Sequence, residues 1–149
     1  GKKRAYVGGT LSANPLSCVA GYYTIKEIIE SNACKEAGEA GDKITDGLKK
    51  IVDDLGLPYV IYNQGSICHL ETSGAMFTPL NPRKPWTIPK VIKEATERKH
   101  VMGEMGAAYM AEGVITIAGS RLYTSAVQND PKIIQEALDS FENVFQKIE

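Results

Sequence analysis

Asp130-Pro131 opens a stretch in which Ile134, Ala137, Leu138, Phe141, Val144, Phe145 and Ile148 recur three or four positions apart to the end of the chain. Asp caps a helix by accepting from its first free N–H groups, and Pro suits the first helical position because its missing N–H would be unpaired there anyway. The spacing places these residues on one stripe, and a helix with such a stripe has to bury it against another element. The rest of the chain must therefore supply a surface for it. Asn14-Pro15 repeats the cap-and-proline signal and predicts a helix from about Pro15 to Ser31 carrying Leu16, Val19, Ala20, Tyr23 and Ile28. Gly21 lies inside that helix, where it costs about 1 kcal/mol relative to Ala, so a close neighbour is expected beside it. A second helix is predicted from Ala33 to Leu55 on the spacing of Ala37, Ala40, Ile44, Leu48, Ile51 and Leu55, with Gly56 as its stop.

From Pro58 to Thr72 the rhythm changes. Tyr59-Val60-Ile61-Tyr62 is β-branched and aromatic, Asn63-Gln64-Gly65-Ser66 is turn-like, and Ile67 to Thr72 alternates in part, which predicts a hairpin or one bulged strand. Pro79, Pro82 and Pro85 make Ser73 to Trp86 a long loop, a kind of segment that is often functional. A third helix is expected from Pro89 to Glu112 with Ile92, Ala95, Val101, Met105, Ala108 and Tyr109 inward, closed by Gly113. Val114 to Ala118 and Leu122 to Ala126 are strand candidates around Gly119-Ser120-Arg121. The order of elements contains no βαβ series, so the expected fold class is α+β, a small antiparallel sheet covered by helices.

The 149 residues, 43% hydrophobic and 23% charged, suit one soluble compact domain. A net charge of -1 gives no reason to expect a nucleic acid or an anionic membrane as partner. The apolar runs fall far short of the roughly 20 residues that span a bilayer. Cys18, Cys34 and Cys68 are odd in number and lack the spacing of a metal site, which fits a reduced, cytoplasmic compartment and no bound metal. The basic start Gly1-Lys2-Lys3-Arg4 runs straight into a glycine turn and reads as a chain entered midway.

The segment richest in chemistry is Val7-Gly8-Gly9-Thr10-Leu11-Ser12-Ala13-Asn14-Pro15. Adjacent glycines let backbone N–H groups approach an anion, Thr10 adds a hydroxyl, and a helix N-terminus follows, a combination that suits a phosphate. Without a wider context, a Gly-Gly turn before a capped helix is also ordinary punctuation. In register, however, Gly8 through Leu16, followed by Ala20-Gly21, closely resembles the G-G-T-x-S-x-N-P stretch of the class III (fold type I) pyridoxal phosphate (PLP) dependent aminotransferases, especially the glutamate-1-semialdehyde aminomutase branch. Gly65-Ser66, the proline-broken loop and Gly119-Ser120-Arg121-Leu122-Tyr123-Thr124-Ser125 extend the resemblance in weaker form to the C-terminal domain of that family.

That resemblance implies residues 1–32 as the end of a large domain, with the cofactor-phosphate loop and a long interface helix, and 33–149 as a small α+β domain. It implies that Thr10, with Gly9 shaping the loop, donates to the phosphate of PLP held by the neighbouring subunit of a homodimer. The family's Schiff-base lysine precedes the loop by some twenty-odd residues, so this chain is expected to lack it and to be inactive alone, with no catalytic residue of its own. Lys26, Lys43, Lys49 and Lys50 fall on polar helix faces, and Lys2 and Lys3 lie too near Thr10. The parent enzyme would act on an amino acid or amino aldehyde, and the large-domain portion would be this chain's partner.

Arg121 has the fork geometry to bind a substrate carboxylate, against the alternative of a solvated turn residue. Ser125 is a weaker candidate for the same pocket. His69 and His100 read as structural or solvated, Cys18 and Cys68 as small buried apolar residues, and Phe77 and Trp86 as wall or surface residues of the proline-rich loop. Two readings remain open beside the aminotransferase portion: a non-catalytic α+β dimerisation or interaction module, and one half of a split enzyme.

Overall fold

The computed structural model describes residues 8–9, 12–72 and 85–148. The chain separates into two compact units, one ending at Ala33 and the other running from Cys34 to Glu149. The first contains helix α1 (Pro15–Glu30), which starts where the Asn14-Pro15 signal predicts and ends within a residue of the expected Ser31. None of its residues is buried, and Leu16, Val19, Tyr22, Tyr23, Ile25 and Ile29 are all more than half exposed. Among the described residues the neighbour expected beside Gly21 is missing: no atom of them comes within 4 Å of where its Cβ would stand.

In the second unit, α2 (Ala33–Leu55) is followed by β1 (Val60–Gln64), β2 (Ile67–Glu71), a short 3-10 turn at Pro85–Thr87, α3 (Ile88–Ala111), β3 (Arg121–Tyr123), a second 3-10 turn at Ala126–Asn129, and α4 (Pro131–Phe145). The strands form an antiparallel sheet in the order β1-β2-β3. The expected α+β class is borne out. The hairpin turn is tighter than the sequence suggests: β1 continues through Asn63 and Gln64, and only Gly65 and Ser66 make the turn, with Gly65 at φ +57°. Glycine adopts that left-handed conformation without strain.

Strand alternation sends Ile61, Cys68, Leu70 and Leu122 to one face of the sheet, where they are buried. Against them lie Ala40, Ile44, Leu48 and Val52 of α2 and Ile134, Phe141, Val144 and Phe145 of α4. Most of the α4 stripe read from the sequence is thus the core, although Ile148 lies beyond the helix and is 37% exposed. α2 reaches the sheet because it carries Gly41, where an added Cβ would stand 2.2 Å from the Gly65 carbonyl oxygen. The buried Cys68 thiol donates to the Gly41 carbonyl at 3.5 Å in the same place.

α3 departs from its predicted inner face. Only Met105 and Tyr109 are buried, Ala108 packs at the edge of the core, and Ile92 is 60% exposed. The helix meets the core with its C-terminal half alone, and a partly buried pair, Arg98 to Glu71 at 3.2 Å, ties its middle to β2. Tyr109 stands edge-on to Phe141, with ring centroids 4.9 Å apart, and its hydroxyl has no hydrogen-bond partner among the described residues. Burial, with a smaller contribution from the nearby Tyr59, holds the Tyr109 phenol far above its usual ionisation range, and burial also raises Tyr59.

Gly41→Ala should cost about 2–4 kcal/mol in urea unfolding, because the new methyl group meets backbone that has no room to move. Gly103→Ala, at a position in α3 with no atom within 4 Å, should be neutral or gain up to about 1 kcal/mol. A second expectation concerns alkaline pH. An unfolded tyrosine ionises near pH 10 while buried Tyr109 stays protonated, so its contribution is complete below about pH 10 and is lost as the pH rises further. Tyr109→Phe should leave stability at pH 8 within about 1 kcal/mol of the parent, since the hydroxyl has no partner, and should flatten the loss between pH 8 and 10.5.

Candidate functional site

The glycine loop ends in a defined chain reversal. Ser12 N–H donates to the Gly9 carbonyl at 3.0 Å, and Gly8 and Gly9 are exposed. Ala13 follows at φ +58°, an uncommon conformation for a residue with a side chain, and it turns the chain so that Asn14 can cap α1. Asn14 Oδ1 accepts from Leu16 N–H at 2.9 Å and Ser17 N–H at 3.4 Å, with Pro15 between them. The first donors of the helix are therefore already taken by the cap or removed by the proline. An anion at this loop would have to be held by the glycine turn and Thr10, not by the end of α1, which narrows the expectation drawn from the sequence. Thr10 itself lies outside the described residues.

Arg121 is a strand residue rather than a turn residue. Its backbone pairs with His69 across β2–β3 and with Ile117 on the other side. Because Leu122 points into the core, Arg121 stands on the opposite face of the sheet. In register beside it are His69 and, one strand further, Tyr62, so that Tyr62, His69 and Arg121 form one cross-strand row. The Tyr62 and His69 rings are stacked, 4.6 Å apart and 4° from parallel. No hydrogen bond or ion pair engages the Arg121 side chain among the described residues, which leaves its five donors free for a planar anion.

The other candidates separate from this row. Ser125 begins the 3-10 turn at Ala126–Asn129, its N–H donating to Gln128 Oε1, so it serves a cap. His100 pairs with Glu104 at 3.2 Å along exposed α3. Cys68 is buried and burial pushes its thiol up, as a structural cysteine requires, but Cys18 is exposed, contrary to the sequence reading, as α1 has no buried residue. Trp86 is 71% exposed, and Phe77 lies outside the described residues. Lys26 and Lys49 make exposed helical ion pairs with Glu30 and Asp46, and Lys43 donates to Asn129. Among the described residues no group of three metal-ligating side chains comes together, and no helix is long and apolar enough to cross a membrane.

No family model matches the chain. Over 62 residues it is 37% identical to a glutamate-1-semialdehyde 2,1-aminomutase of Sulfurihydrogenibium sp., a stretch covering 42% of this chain and 14% of that protein. In three dimensions it resembles an omega-transaminase from Sphaerobacter thermophilus with a TM-score of 0.69 and 18% sequence identity, over 95% of this chain and 30% of that one. The resemblance to the class III PLP-dependent aminotransferases is thereby borne out, in sequence by the aminomutase and in fold by the transaminase. The chain spans less than a third of the length of either relative.

The cap predicts its own test. Asn14→Ala should fray the first turn of α1, a loss of about 1 kcal/mol. Amide hydrogen exchange at Cys18 and Val19 should accelerate by about fivefold, while exchange in α4 stays unchanged.

Proposed function

We propose that this chain is the C-terminal portion of a class III PLP-dependent aminotransferase or aminomutase acting on an amino acid or amino aldehyde. Residues 1–32 are the end of its large domain and 33–149 its small domain. The observation that carries this reading is the register of Gly8-Gly9-Thr10-Leu11-Ser12-Ala13-Asn14-Pro15 together with the reversal from Gly9 to Ser12 and the Asn14 cap. The exposed glycine turn fits one end of the cofactor, its phosphate. The described residues include no lysine in a setting that would hold its ring end.

Within the whole protein the roles of this chain are binding and orientation. Gly9 leaves the loop backbone open to approach, and Thr10 donates its hydroxyl to the phosphate of PLP in the neighbouring subunit of a homodimer. Arg121 engages a substrate carboxylate through its guanidinium fork. PLP supplies the electron sink for moving the amino group, and the lysine that serves it belongs to the large domain. The exposure of α1 on every side supports the same reading, since an apolar helix of this kind is normally covered by the rest of its protein. The chain alone is inactive.

In the full-length enzyme, Thr10→Val should weaken PLP retention by about tenfold or more, the scale of a hydrogen bond to a charged group, without unfolding the protein. Dialysis followed by cofactor fluorescence measures this, and unchanged retention would remove the role assigned to Thr10. Borohydride treatment of the isolated chain with PLP should label no single lysine preferentially; selective labelling of one would contradict the inactivity of the chain alone.

A further inference from the structure

We draw no further inference here: the strongest candidate, the Tyr62–His69–Arg121 row on the outer face of the sheet, belongs to the site already described, and nothing in the structure shows what covers the exposed Val60, Ile67 and Tyr123 beside it.

Discussion

Phe141 and Phe145 of α4 meet Tyr109 of α3 and Tyr59 just ahead of β1 in one aromatic cluster, with edge-on contacts of 4.9 Å between Tyr109 and Phe141 and 5.5 Å between Tyr59 and Phe145. Full burial of each such ring contributes about 1.5–3 kcal/mol, and the cluster joins elements more than 80 residues apart. The sheet, α2 and the last turns of α3 are all arranged around it. Gly41 sets how near α2 can come. A side chain there would push the helix off the Gly65 turn and open the core on that side. Polar ties secure the rim: Thr124 donates to the Ala37 carbonyl at 2.7 Å, and Asn129 bridges Glu36 and Lys43 of α2.

The two units use apolar residues in opposite ways. α4 gathers them on one stripe and buries it, whereas α1 leaves Leu16, Val19, Tyr22, Tyr23, Ile25 and Ile29 exposed and buries none. The unit from Cys34 onward is organised around a core of its own.

The sheet carries two surfaces with different chemistry. Its inner face is committed to the core through Ile61, Cys68, Leu70 and Leu122, with Asn63 bonded to Asp42 at the margin. On its outer face the stacked Tyr62–His69 pair and the Arg121 side chain stand in one row. Both follow from register, because shifting β3 by one residue would turn Arg121 into the core and Leu122 out of it.

Local signals in the sequence determined α1, α2 and α3 and the start of α4 almost to the residue, since caps, prolines and a 3.6-residue period act within a few positions of one another. The same locality made Gly8 through Pro15 recognisable as a loop before a capped helix. What no local signal carries is which faces are covered. Tertiary structure alone decided that only the end of α3 meets the core and that, among the described residues, Gly21 has no neighbour while Gly41 has a very close one. The glycines show the reason: both lie within helices, but only the packing of α2 brings a backbone carbonyl from a separate hairpin, that of Gly65, against one of them.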